Sequence, residues 1–220
     1  MRKERISIGE YYHVYNRGIK KNLLFHDERD YLRFLFLLLY FQSDSKFYNI
    51  GRYVSNHSKK LLFGVSSESI KSIIKKRSVE LVSFCIMPNH FHVIVKEHKE
   101  NGIALYMHRV IGGYARYYNL RYKTSGHLFQ GAYKAVHIED NTQLLYLSAY
   151  IHRNPRTLKE WHRAEDKYPW SSYQAYVTYN IFEELLVQNI ILGQFKDTKD
   201  YERFLYSSPA KAFIDEFDSC

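Results

Sequence analysis

One short break near the middle of the chain limits the possible folds more than any other feature. Val79 to Ile86 is a nearly continuous apolar run, Pro88-Asn89 is a turn pair, and His90-Phe91-His92-Val93-Ile94-Val95-Lys96 follows in β-branched residues. Two strands so closely joined form an antiparallel hairpin, and the apolar content of the first places the pair centrally in a sheet. Strand side chains alternate faces, so His90 and His92 point one way and Phe91 the other. Two imidazoles side by side on one face can hold one metal ion. They can equally be solvated side chains of an edge strand, in a chain with 11 histidines, and the spacing contains no third ligand.

The flanking segments complete the sheet. Tyr11 to Asn16 alternates as a first strand and closes at Arg17-Gly18. Asp27 is an N-cap for a helix whose Tyr31, Phe34, Leu35, Leu38 and Leu39 form an apolar stripe. Asn101 is the expected cap of a second helix, Ile103 to about Tyr122, with Gly112-Gly113 inside it. Ala135 to Ile138 reads as a fourth strand. A third helix, Thr142 to Arg153, follows the capping run Glu139-Asp140-Asn141 and ends before Pro155. Strand, helix, strand, strand, helix, strand is the order of a ferredoxin-like, split β-α-β antiparallel sheet. The expected fold is therefore α+β, with helices on one face and an added C-terminal helical segment. Residues 1–177 form the expected catalytic domain, with an insertion at about 43–78, and 178–220 the C-terminal extension. The insertion is Ser-, Asn- and Lys-rich, with a short helix expected near Glu68 to Lys76. Its Lys71, Lys75, Lys76 and Arg77 suit a phosphate-binding face or a solvated helix end.

Charge bears on the partner. The 220 residues include 32 Lys and Arg against 23 Asp and Glu, a net +9 that favours a polyanion. No run approaches the roughly 18 apolar residues of a spanning helix, and the charged opening Met1-Arg2-Lys3-Glu4-Arg5 is unlike a signal peptide. Cys85 and Cys220 are far apart and imply no disulfide framework or cysteine zinc site, which fits a cytoplasmic protein. With 21 Tyr and 14 Phe, a basic chain has the rings and cations that single-stranded nucleic acid needs, although AT-rich coding also raises Tyr, Phe and Lys.

Tyr150 and Asn154 share a face of the third helix. If that helix crosses the sheet where the histidines project, Tyr150 can attack a metal-bound phosphate and Asn154 can supply a third ligand oxygen. Two imidazoles and an amide are all neutral. They leave a divalent ion its full charge and open positions, which suits Mg²⁺ or Mn²⁺ completed by phosphate and water. A phenol with pKa about 10 is ionised in only about one molecule per thousand at pH 7, a deficit of roughly 4 kcal/mol. Lewis-acid polarisation offsets several kcal/mol of that. On spacing alone, the reading of Tyr150 as a core tyrosine and of Asn154 as a helix C-cap before proline prevails.

Five blocks in order carry a resemblance. They are Tyr11-Tyr12-His13-Val14-Tyr15-Asn16-Arg17-Gly18 with Leu24-Phe25-His26-Asp27 and Tyr31-Leu32-Arg33-Phe34-Leu35; Met87-Pro88-Asn89-His90-Phe91-His92; Gly126 to Lys134; Tyr150-Ile151-His152-Arg153-Asn154-Pro155; and Tyr168-Pro169-Trp170-Ser171-Ser172-Tyr173. Together they resemble the single-tyrosine HUH transposases, most closely the REP-associated tyrosine transposases. The resemblance implies that His90, His92 and Asn154 bind Mg²⁺ or Mn²⁺. It implies that Tyr150 nicks single-stranded DNA, leaving a 5′-phosphotyrosine and a free 3′-OH, so that rejoining needs no ATP. It further implies hairpin DNA as the partner, with Arg17, Lys134 and Arg153 contacting phosphates in a monomer or homodimer.

The chain departs from the family pattern in three places: the long segment 43–78, Ala132 where many relatives carry Arg, and Arg156-Thr157-Leu158 after Pro155. Tyr114, Tyr117 and Tyr118 are rival nucleophiles. Two other functions compete with the nickase: a non-catalytic, domesticated binder of repeat hairpins, and a zinc hydrolase recruiting His127 or His137.

Overall fold

The nine residues Val79–Met87 form a strand buried along its whole length, β2. A strand with both faces apolar must be covered on both, and this requirement dictates the layers of the molecule. The computed structural model describes residues 6–57 and 62–209. With β1 (Tyr11–Arg17), β3 (His90–Glu97) and β4 (Lys134–His137), β2 makes a four-stranded sheet in the order β2-β3-β1-β4. Every pairing is antiparallel, as the split β-α-β reading requires.

The pairing register divides the side chains. Tyr15 lies opposite His92 and Arg17 opposite His90, so His13, Tyr15 and Arg17 share the histidine face of the sheet. Lys134 lies opposite Tyr15 and joins that face. Phe91 and Val93 face the other way, with Val14 and Tyr12.

Two helices cover the Phe91 face. Helix α1 (Glu28–Tyr40) starts at Asp27, whose carboxylate accepts the Asp30 amide. Phe34 of α1 packs on Phe91 with ring centroids 5.0 Å apart. Helix α4 (Gly102–Tyr122) lies beside it, and Tyr114 meets Phe34 edge to face. The expected cap of α4 is corrected here. Asn101 is left-handed and makes no side-chain cap bond; the buried Glu97 carboxylate accepts the amides of Gly102 and Ile103 instead. A negative charge at a helix N-terminus is favourable, and two charge-assisted bonds make it more so. Gly102 is required there, because a Cβ would sit 2.3 Å from the Ser78 carbonyl oxygen.

Within 43–78 the described residues contain α2 (Ile50–Ser55) and α3 (Ser67–Lys76). Phe36 on α1 gathers Phe47, Tyr53 and Phe63 around it, so this segment adds an aromatic annex to the core.

The histidine face is covered by α5 (Asn141–Arg153), capped by Asp140. Only β3 of the hairpin is central: β2, expected to be central too from its apolar content, is an edge strand, and the chain then returns to protect its open edge. The Ile86 amide donates to the Trp170 carbonyl, Phe84 bonds to Ser172, and the hydroxyls of Tyr168 and Tyr176 donate to the carbonyls of Ile86 and Val82. An edge strand satisfied in this way cannot pair with another molecule. The helices α6 (Tyr173–Val177), α7 (Asn189–Leu192) and α8 (Thr198–Ser207) complete the layer against α5. Cys85 is buried as a free thiol, and Cys220 lies outside the described residues.

Candidate active site

The site is assembled from a sheet face and a helix. β3 presents His90 and His92, and α5 lies across them. Tyr150 meets the His92 ring edge to face at 5.5 Å between centroids. One turn later, the Asn154 amide oxygen lies 3.2 Å from His90 Nε2. Arg17 and Lys134 open toward solvent beside them. With Tyr15, Asn16, Gln130 and Ala132 they line a cavity of about 300 Å³ that has His90 and His92 in its wall.

Electrostatics keep both imidazoles neutral. Burial pushes His90 down to about 4, and the Arg17 charge adds to this, while the Asn154 contact opposes it. His92 is held well below the ordinary imidazole range, first by burial and then by His13, His90 and Arg17. A neutral imidazole is the form that ligates a metal. The spacing of the donors fits a six-coordinate divalent ion. Bonds of about 2.1 Å place neighbouring octahedral ligands about 3.0 Å apart, close to the observed 3.2 Å between His90 Nε2 and Asn154 Oδ1. The adjoining cavity leaves the remaining positions open. No group of three or more His, Cys, Asp or Glu side chains is placed to share an ion among the described residues.

Other candidates lie elsewhere. Tyr114, Tyr117 and Tyr118 are on α4, beneath the opposite sheet face, with hydroxyls engaged by the Leu24 carbonyl, Asp30 and His26. His137 points to that opposite face and pairs with Glu10, and His127 is exposed outside the cavity lining. Arg153 is turned away, its guanidinium donating to the carbonyls of Leu205 and Ser208. In the insertion, Arg77 pairs with Glu80.

Two features escape a reading of the sequence. His13 is buried, and its Nε2 lies 2.9 Å from His92 Nδ1. That contact leaves Nε2 as the His92 nitrogen free for a ligand. The only prior signal was the alternation of the first strand, which puts His13 on the face of Tyr15 but cannot give the register to β3. The second is the anchor of α5. The imidazole of His152, fully buried, lies 2.7 Å from both the Tyr201 hydroxyl and the Ser172 hydroxyl. The C-terminal helices thereby fix the height of Tyr150 and Asn154 over the sheet.

Residues 49–154 match the family model "Transposase IS200 like". Just under half of the chain is therefore similar to the IS200-like transposases. The matched span runs from α2 through Asn154, so it contains His90, His92, Tyr150 and Asn154. Among solved structures, one described as a REP-associated tyrosine transposase bound to a REP hairpin is similar, with 13% identity and a TM-score of 0.53. The match covers 86% of this chain and 92% of that one. At that identity it establishes the shared fold. No curated protein sequence matches the chain. Among the described residues no helix is long and apolar enough to cross a membrane.

Proposed function

We propose that this chain nicks single-stranded DNA beside a hairpin and transfers the strand through a covalent tyrosine. The observation that carries this reading is the convergence of Tyr150 and Asn154, one helical turn apart, on the two imidazoles of β3. His90, His92 and Asn154 would hold Mg²⁺ or Mn²⁺. When bound, that ion supplies Lewis-acid polarisation of the scissile phosphate. Arg17 and Lys134 hold the flanking phosphates at the mouth of the cavity and orient the strand. The Tyr150 oxygen forms a bond to phosphorus as its phenolic proton leaves. The bond from phosphorus to the 3′ oxygen breaks, and that oxygen takes up a proton as a free 3′-OH. The new phosphotyrosine ester retains the energy of the phosphodiester, so a second 3′-OH can reverse the step on another strand without ATP.

The match to a transposase family model supports a DNA substrate, and the REP hairpin of the structural neighbour supports a repeat hairpin. Such a substrate places the work of the protein in the cytoplasm. The test is a 3′-labelled hairpin oligonucleotide carrying single-stranded flanks, incubated with Mg²⁺ or Mn²⁺. Wild type should acquire the label covalently, and Tyr150→Phe should bind the hairpin without acquiring it. An adduct that survives Tyr150→Phe would remove Tyr150 from this role. Hairpin binding with no adduct in any divalent ion would identify a binder that has lost catalysis.

A further inference from the structure

The turn before the histidine strand contains a group that no part of the mechanism yet uses. The Asn89 side chain sits between two partners. Its Nδ2 donates to the Lys21 carbonyl at 3.1 Å, and its Oδ1 lies 2.6 Å from His90 Nδ1. The first contact settles the second. A carbonyl only accepts, so the amide nitrogen must face Lys21, and the amide oxygen is left facing the imidazole. An amide oxygen also only accepts, and the Asn89 oxygen lies closer to Nδ1, at 2.6 Å, than the Asn154 oxygen does to Nε2, at 3.2 Å, so Nδ1 is the nitrogen that carries the proton of the neutral ring. The lone pair of the neutral ring then stands on Nε2, the nitrogen aimed at Asn154.

We propose that Asn89 is a positioning residue that locks His90 in the Nδ1–H tautomer and so presents Nε2 to the metal. This rests on the metal-site reading above, since it names how one proposed ligand is set. Orienting partners of this kind fix ring rotation as well as tautomer, and their loss typically weakens metal binding 10- to 100-fold.

The lock is built into the backbone of the turn. The Asn89 carbonyl accepts the Gly18 amide at 2.8 Å, and the Pro88 carbonyl accepts the amides of Leu24 and Phe25 at 2.8 and 3.2 Å. Lys20 and Lys21 both take left-handed φ values, 53° and 61°, which turn the Lys21 carbonyl toward Asn89. The segment after β1 therefore serves as a template for the turn. This gives a physical reason for Met87-Pro88-Asn89 to precede the histidines and for Arg17-Gly18 to close the first strand. His92 has a matching partner in His13, at 2.9 Å from its Nδ1.

Two variants separate the lock from a plain turn residue. Asn89→Asp keeps an oxygen for the His90 proton but cannot donate to Lys21, whereas Asn89→Ala loses both contacts. The first readout is the two-bond proton–nitrogen NMR spectrum of ¹⁵N-histidine-labelled, metal-free protein at pH 8, with the His90 signals assigned through His90→Gln. Wild type and Asn89→Asp should show His90 as Nδ1–H alone, and Asn89→Ala should show a mixture of tautomers. The second is Mn²⁺ affinity by EPR, expected to fall roughly 10- to 100-fold in Asn89→Ala and to stay within a few-fold in Asn89→Asp. A single Nδ1–H tautomer in Asn89→Ala would overturn the proposal. So would an Asn89→Asp protein that loses the tautomer as Asn89→Ala does. A wild type with the tautomer but no Mn²⁺ affinity would overturn the metal-site reading instead, and the two failures are thereby distinguished.

Discussion

His90 Nε2 and the Asn154 amide oxygen lie 3.2 Å apart, although one belongs to a strand and the other to the residue that caps the C-terminus of the helix crossing it. In the Nδ1–H tautomer inferred for His90 both atoms offer lone pairs, and a cation between them would relieve their repulsion. Asn154→Ala is therefore expected to raise the Mn²⁺ or Mg²⁺ concentration needed for half-maximal adduct formation by at least roughly tenfold. Asn154→Asp, which adds a negative charge to the same geometry, should lower it. A metal titration of adduct yield checks both. Equal midpoints in all three proteins would exclude Asn154 from the site.

The three cations expected to meet phosphates differ in where they lie. Arg17 and Lys134 line it, whereas Arg153 is committed to carbonyls of the C-terminal layer. Hairpin affinity measured against salt should show this. Arg17→Ala and Lys134→Ala should each weaken binding and lower the slope of log K against log salt by about one. Arg153→Ala should leave that slope unchanged while lowering the melting temperature. Ala132, also on the cavity wall, gives the converse test: Ala132→Arg should tighten binding and steepen the slope by about one.

The hairpin of strands was legible because its information is local: a nearly continuous apolar run from Val79 to Ile86, a Pro-Asn break and an alternating strand. Asp27 and Asp140 were legible as caps for the same reason, each lying beside the helix it starts. Glu97 was not, because it reaches α4 from the end of β3 and depends on where that strand stops. Tyr150 and Asn154 could be placed on one helix face, but nothing local says that this face looks at His92. His13 and Asn89 were hidden in the same sense. A histidine in a strand and an asparagine in a turn have ordinary local explanations, and only the register of β1 on β3 and the position of Lys21 give them partners. Arg153 shows the converse, since its place in a resembling block says nothing about which way the guanidinium turns, and here it meets the carbonyls of Leu205 and Ser208.

The height of α5 over the sheet depends on Tyr201, whose hydroxyl lies 2.7 Å from His152 Nδ1 and 3.3 Å from the Ser148 hydroxyl. Tyr201→Phe keeps the ring and removes those bonds, leaving a buried imidazole nitrogen without its partner. The expected cost is about 1–3 kcal/mol, read as a lower urea midpoint. Adduct formation should slow, with hairpin affinity unchanged, because Tyr150 and Asn154 ride on the same helix. Unchanged stability would show that α8 does not hold α5 through this contact.

Acid should unfold the protein before it titrates most carboxylates. His152 is fully buried, and burial pushes it down to about 3, as it does His13. In the unfolded chain an imidazole titrates near 6.5. Between those values the unfolded state binds a proton that the folded state refuses, so stability rises with pH across the window and is fully present above about 6.5. Each such group removes about 1.4 kcal/mol for every pH unit below that point. Asp27 acts later: the Arg121 hydrogen bond holds its carboxyl below the usual range, so its contribution fails only as pH falls through the carboxylate region. The melting temperature of the metal-free protein should be level from pH 8 to 7 and fall steeply between pH 6 and 4.5. His152→Gln should start less stable and fall less steeply, because one of the protons refused by the fold is gone. A wild-type melting temperature that stays level to pH 4.5 would contradict the neutral, buried state of these imidazoles.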